Sequence, residues 1–175
     1  LYLLKKKDAS FEAGIIGDGD QSSNLRQQTK NLDLTEQVTF TGAIPFSEVL
    51  KNYIWGDILV LVSQNAEGWP KAIAEAMAFG LVCFGSQRGL IPQMLDGGRG
   101  IVVLPITPEN LANNMEVLLN SHEKYRNISQ NAAAWSQKYS LDDLHDAIRD
   151  LLMKSWGLDK STLRVLKHKE YQTDD

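Results

Sequence analysis

Short apolar runs alternate with longer amphipathic stretches along most of this chain, and this alternation constrains the fold more than any other feature. Apolar runs of strand length occur at 11–17, 37–42, 57–63, 81–85 and 101–105. The stretches between them mostly carry apolar residues at helical spacing. Such alternation builds βαβ units with parallel strands and right-handed crossovers. The sequence therefore predicts an α/β fold with an open parallel sheet, whose 57–63 strand is buried on both faces.

Three further helices are predicted beyond the last apolar run, where they would pack outside the sheet. Their start patterns lie at Thr107-Pro108, at Ser121 and at Ser140, where "SLDD" has the capping-box spacing. Gly157 suits the end of the last helix. A chain of 175 residues suits one domain with a full core. We predict a domain over residues 1–157 and a loosely held polar tail over 158–175.

The overall charge and the single cysteine exclude several classes of function. The net charge of −4 argues against nonspecific binding of nucleic acid. Cys83 lies in the apolar run "LVCFG" and is expected to be a buried hydrophobic residue, so the chain has no internal disulfide and fits a cytoplasmic location. The apolar runs are too short to span a bilayer, and membrane association is not visible in the sequence.

The sequence predicts no metal site, and its first residues indicate a fragment. The three histidines, His122, His145 and His168, have no histidine or cysteine partners at ligand spacing, so we expect no metal and no cofactor. The chain begins without methionine, in the middle of a helical pattern, "LYLLKKKD". We therefore expect it to be a fragment of a longer protein.

The segment "EGWPKAIAEAMAFG" at 67–80 carries two carboxylates eight positions apart. It follows the apolar run that ends at Ser63, and open α/β sheets bind ligands beyond the carboxyl ends of their strands. Glu75 lies among alanines and larger apolar residues of a predicted helix. An unpaired ionised group costs several kcal/mol in such surroundings. Its partner is therefore either a protein group or a ligand, and both possibilities remain open at this point.

The start of the same helix also has two interpretations. Gly68, Trp69 and Pro70 form an entry turn that leaves backbone N–H groups free, which is a ready site for an anion. Lys71 opposes the helix dipole there, and a bound phosphate would explain its presence. The alternative is an exposed Lys71–Glu75 pair worth about 0.2–0.5 kcal/mol.

A second glycine-rich turn follows the first predicted strand. Gly17, Asp18 and Gly19 begin the pattern G-x-G-x-x-S, which resembles a dinucleotide fingerprint. The next strand ends "TFTG" and lacks the acidic residue that this fingerprint needs. The residues alone favour a tight turn.

Four segments resemble the C-terminal domain of retaining glycosyltransferases. They are "IIGDGD", "VTFTGAIP", "EGWPKAIAEAMAFG" and "GLIPQML" with "GGRGIVV" behind it, in this order. The resemblance is to the group 1 enzymes (family 4) with the GT-B fold and covers roughly residues 10–157. Its most specific part is the E-x7-E pattern from Glu67 to Glu75. It implies an enzyme of two Rossmann-like lobes, of which this chain is the donor-binding, C-terminal one with a doubly wound parallel sheet.

The resemblance also implies a role for each candidate site residue in binding a nucleotide-diphosphate sugar. Glu67, the catalytic candidate, would orient the donor sugar or stabilise the transition state. Backbone amides from Trp69 to Ala72 would hold the diphosphate, and Glu75 would accept hydrogen bonds from the ribose hydroxyls. The other donor-binding candidates are Gly17, Ile44 beside the nucleobase, Gly68, Pro70 and Lys71. The reaction would be a retaining hexosyl transfer without metal or cofactor.

The chain departs from the family pattern in two respects. The family's Arg and Lys for the diphosphate lie in the first strand and loop of this lobe, which would precede Leu1, and the sheet order is expected to be broken at its N-terminal edge. The family's "GG-x-PE" appears as "GLIPQ", with Leu90 and Gln93. The acceptor-binding lobe would be a missing N-terminal partner, so we expect this chain alone to be inactive.

Two alternative functions remain. One is a nucleotide-sugar epimerase, which shares the GT-B fold but usually lacks the E-x7-E arrangement. The other is a noncatalytic interaction domain on the same scaffold, because fold alone does not fix function. The two glutamates and the Gly-Trp-Pro turn argue against the second.

Overall fold

The computed structural model describes residues 1–157, in which strands and helices alternate as the sequence predicts. The strands are β1 (Ala13–Ile16), β2 (Val38–Gly42), β3 (Ile58–Leu61), β4 (Val82–Ser86) and β5 (Gly100–Val103). The helices are α1 (Tyr2–Lys5), α2 (Ser22–Asn31), α3 (Phe46–Trp55), α4 (Lys71–Ala78), α5 (Ile91–Leu95), α6 (Pro108–Leu119), α7 (His122–Ser136) and α8 (Leu141–Trp156). The predicted tail at 158–175 lies outside the described residues.

All strand pairs are parallel, which confirms the predicted α/β class. The pairs form two sheets, β1–β2 and β3–β4–β5. The expectation of a single sheet with a break at its edge was wrong, because the described strands form two separate sheets. In the doubly wound order 3-2-1-4-5-6 the first strand is central. A lobe without that strand separates into a pair and a triple, which is the observed pairing.

Strand β4 is the centre of the three-stranded sheet and is fully buried. Its side chains alternate between two clusters, since Cys83 packs with α4 and α5 while Val82 and Phe84 pack with α6. Helices therefore cover both faces of this strand, as expected of a doubly wound sheet. The prediction that the 57–63 strand is buried on both faces was wrong: β3 pairs only with β4 among the described strands, and Val60 is 39% exposed.

The predicted caps of the later helices are confirmed. The hydroxyl of Thr107 accepts a hydrogen bond from the Asn110 amide, and Pro108 is the first residue of α6. Ser140 and Asp143 form the capping box of α8, which ends at Gly157 with φ 65°. The chain divides into two units, Leu1–Ser136 and the part from Gln137 onward, and the first unit contains all the described strands.

Candidate functional site

Helix α4 begins at the end of the segment that follows β3, as the sequence predicts. Pro70 occupies the N-cap position with an extended backbone, and its carbonyl accepts the amides of Ile73 and Ala74. The amides of Lys71 and Ala72 donate no hydrogen bond to any residue among 1–157. The first turn contains no acidic residue, and no side chain caps it. The positive end of the helix dipole is therefore left for an anion.

The proposed Lys71–Glu75 pair does not form. Lys71 is exposed and has no ion pair with any residue of the described part of the chain. This observation removes one structural explanation for a lysine in the first turn of α4.

Glu75 has a protein partner that the sequence did not indicate. The hydroxyl of Tyr53, on α3, donates a hydrogen bond of 3.1 Å to Oε2 of the half-buried Glu75. Tyr53 is only 5% exposed, and its ring stacks on Phe79 with centroids 5.8 Å apart. Burial, together with the bond to Glu75 and its negative charge, raises the pKa of Tyr53. Tyr53 therefore remains a neutral donor at physiological pH.

Glu67 is held through its backbone by the loop that follows β4. The Leu90 amide donates a hydrogen bond of 2.9 Å to the Glu67 carbonyl. Gly89 has φ +55°, and a Cβ atom there would overlap that carbonyl oxygen and lie 2.6 Å from the Glu67 nitrogen. Only glycine fits this approach. The "GLIPQ" segment, which departs from the family pattern, thus positions the half-buried Glu67.

Trp69 packs into an aromatic column that also reaches the "GGRG" turn. Its ring stacks on Trp135 of α7, with centroids 5.8 Å apart. The Arg99 guanidinium lies 4.8 Å from the Trp135 centroid and donates to the carbonyls of Gln93 and Met94. This column links the entry turn of α4 to the end of α5. Sequence reasoning missed it, because Trp69, Arg99 and Trp135 lie far apart in the sequence.

Helix α7 also holds α4 directly through two serine hydroxyls. Ser129 donates to the Gly80 carbonyl and Ser136 to the Ala74 carbonyl, both at 2.6 Å. These bonds hold α4 at Ala74 and the turn after it at Gly80.

The other two candidate residues lie together at the carboxyl ends of β1 and β2. The Gly17 amide donates to the Gly42 carbonyl at 2.9 Å, and Ile44 follows two residues later. The Asp18 carboxylate accepts bonds from the Ser22 hydroxyl and the Gly19 amide, which hold its pKa below the ordinary value. This is the tight turn that the residues favoured. Helix α3 begins two residues after Ile44 and connects this region to Tyr53.

No metal site or membrane span is found in the part of the chain that the structure describes. Within residues 1–157, no group of three or more His, Cys, Asp or Glu side chains could hold a metal ion. None of the described helices is both long and apolar enough to cross a bilayer. An open cavity of about 680 Å³ between β5 and α7 contains neither glutamate of the motif.

Comparisons with known proteins give a consistent family. A family model described as "Glycosyl transferases group 1" matches residues 1–135. An uncharacterized glycosyltransferase of Haemophilus influenzae is 26% identical over 159 residues, which cover 86% of this chain and 44% of that protein.

Solved structures agree with this sequence relationship. Anabaena HepE in complex with UDP superposes with a TM-score of 0.75 at 23% identity, covering 82% of this chain and 41% of that one. The C-terminal domain of a glycosyl transferase group 1 family protein, LpcC of Francisella tularensis, has a TM-score of 0.69 and 26% identity, covering 78% of this chain and 73% of that one. The chain thus spans less than half the length of the Haemophilus relative and of HepE.

Proposed function

The chain belongs to the glycosyl transferases group 1 family, as its C-terminal domain, and from this premise we propose that it is the donor-binding lobe of a retaining family 4 enzyme. The whole protein would transfer a hexose from a nucleotide-diphosphate donor to an acceptor held by a second lobe. The reaction would need no metal and no cofactor and would take place in the cytoplasm.

One observation carries this proposal: α4 combines an uncapped N-terminus with a half-buried carboxylate one turn further along. The amides of Lys71 and Ala72 supply donors for a diphosphate. The Glu75 carboxylate supplies an acceptor for ribose hydroxyls at a distance that suits the next part of a nucleotide. Uridine nucleotides are the first candidates, because HepE was solved with UDP and with UDP-glucose.

The remaining candidates fit the other parts of such a donor. Ile44 offers an apolar contact for the base, and Gly17 leaves room at the turn beyond β1. Glu67 would accept hydrogen bonds from sugar hydroxyls and stabilise positive charge that develops at the anomeric carbon. In the net reaction, the bond from that carbon to the diphosphate oxygen is replaced by a bond to the acceptor oxygen, and the acceptor's proton ends on the diphosphate.

Substitution of the two glutamates tests the assignment. Glu75→Gln keeps the shape of the side chain but weakens the acceptor, so UDP affinity should fall at least about tenfold. The melting temperature should hold or rise, because an incompletely paired charge is removed. Glu67→Gln should bind UDP almost normally and abolish sugar transfer by the longer protein. Calorimetric titration, thermal unfolding and a transfer assay measure these effects.

Controls separate this function from its alternatives. Glu36→Gln, at an exposed glutamate between α2 and β2, should change neither binding nor transfer. Transfer should retain the anomeric configuration and should persist in EDTA. An interaction domain would bind no nucleoside diphosphate, and an epimerase would convert the donor sugar without an acceptor. Either result would overturn the proposal.

A further inference from the structure

We infer that Tyr53 is a positioning residue, which holds one oxygen of Glu75 so that the other faces the ribose of the bound donor. This inference rests on the proposed function and adds a residue that lies outside the E-x7-E motif. It is carried by the hydrogen bond between α3 and α4 and by the rigid setting of the tyrosine ring.

The ring of Tyr53 has little freedom to move. It is 5% exposed and belongs to the buried cluster that includes Ile73 and Met77 of α4. The ring also stacks on Phe79, with the two planes inclined at 30°, and this contact restricts its movement on a second side. A buried, close-packed aromatic ring keeps a single orientation. The hydroxyl therefore presents its one proton from a fixed point.

The carboxylate of Glu75 is only half satisfied by this bond. Oε2 accepts from Tyr53 at 3.1 Å, and Oε1 accepts no hydrogen bond from any residue among 1–157. A carboxylate has lone pairs for about four hydrogen bonds. The residue is half-buried, so the remaining lone pairs are accessible to a ligand. Tyr53 thus leaves the acceptor free while it fixes the direction of the side chain.

The hydrogen bond from Tyr53 also lowers the entropy that the Glu75 side chain loses when a ligand binds. A free glutamate side chain rotates about three bonds, and binding has to freeze that rotation. Tyr53 imposes this order before the ligand arrives. Because α3 begins just after Ile44 and ends just after Tyr53, one helix connects the expected base contact to the ribose contact.

The test measures ribose discrimination in Tyr53→Phe, which keeps the ring and removes only the hydroxyl. UDP, ADP and GDP are titrated by calorimetry, and the tightest binder is compared with its 2′-deoxy form. Tyr53→Phe should weaken the ribonucleotide about three- to tenfold and the deoxynucleotide less than about twofold. In the Glu75→Gln background it should change affinity less than about twofold, because its effect passes through Glu75.

A matched control is available in Tyr125, a half-buried tyrosine of the same unit. Its hydroxyl lies 3.4 Å from the Asp57 carbonyl, and burial raises the pKa of Tyr125 as it does that of Tyr53. Tyr125→Phe should leave nucleotide discrimination unchanged. Should Tyr53→Phe fold poorly, 3-fluorotyrosine at position 53 keeps the donor and should preserve discrimination.

Several outcomes contradict the inference. Normal discrimination in folded Tyr53→Phe, equal loss for both nucleotides, additive effects with Glu75→Gln, or lost discrimination with 3-fluorotyrosine would each assign Tyr53 a merely structural role. These results leave the proposed function intact as long as Glu75→Gln weakens binding. If the wild-type protein binds no nucleoside diphosphate, or if Glu75→Gln binds normally, the proposed function itself fails and the inference fails with it.

Discussion

At the scale of single residues, the setting of Glu75 bears directly on its role. Its neighbours Ala74 and Ala76 offer no side-chain hydrogen bond, and Tyr53 supplies one charge-assisted bond worth about 1.5–3 kcal/mol. A residue needed only for stability would gain more from a second donor or from an apolar replacement. The incomplete pairing of this carboxylate therefore favours a role in ligand binding over a role in folding.

Gly89 is the residue at which a small change should have the largest structural effect. Gly89→Ala places a methyl group against the Glu67 backbone at a position with φ +55°. We expect a loss of about 2 kcal/mol or more in the free energy of unfolding, from steric overlap and left-handed strain. Urea unfolding measures it.

The matched control is Gly19→Ala, where the added methyl group meets no atom within 4 Å and the φ is not positive. That variant should differ from wild type by less than about 0.5 kcal/mol. A Gly89→Ala protein as stable as the Gly19→Ala protein would mean that the loop does not pack on Glu67.

At the scale of elements, the sequence predicts what depends on local pattern and misses what depends on distant packing. The limits of α4 follow from Pro70 before it and Gly80 after it, and both lie within the motif itself. The contact with Tyr53 joins residues 22 positions apart and depends on how α3 crosses α4. No periodicity encodes that crossing.

The burial of β3 was wrongly predicted, and the aromatic column was missed, for the same reason. An apolar run such as 57–63 predicts a buried strand, but its burial depends on which strands pair on either side. Trp69 stands in the motif, whereas Trp135 lies on α7 within an ordinary amphipathic pattern. The local structure of the motif was therefore predictable from the sequence, and the distant residues that pack against it were not.

The aromatic column should report on the occupancy of the α4 entry turn. Trp69 is 45% exposed and directly precedes Pro70, so a diphosphate bound to the first turn would change its surroundings. We expect UDP to change the tryptophan fluorescence of the protein and Trp69→Phe to remove most of that change. Trp156→Phe, at a residue 74% exposed in α8, should leave the change intact. An undiminished signal in Trp69→Phe would exclude binding at the entry turn.

At the scale of the whole molecule, the candidate site residues lie on segments that follow strands of both sheets. The turns after β1 and β2 carry Gly17 and Ile44, while the segment after β3 carries Glu67 and leads to α4. In a doubly wound sheet, ligands bind at the point where the strand order reverses. In the proposed function, segments that follow strands of both sheets would contribute binding residues, and α3 connects Ile44 to Tyr53.

Binding of the donor and transfer of its sugar make different demands on the 175-residue chain. In the proposed function its candidate residues hold the donor, while a second lobe holds the acceptor. Sugar transfer requires an acceptor oxygen held close to the anomeric carbon and the exclusion of water, which competes with the acceptor. The related Haemophilus protein is about twice as long, as the 44% coverage indicates.

We therefore expect residues 1–175 to bind UDP with the Glu75 dependence described above but to transfer no sugar. The longer protein that contains them should do both. The measurement pairs calorimetry with a transfer assay from UDP-sugars on the two proteins at equal concentration. Slow release of free sugar by the short chain would be compatible with this view, because water then replaces the acceptor. Transfer to an acceptor by the 175 residues alone would show instead that one lobe is sufficient for catalysis.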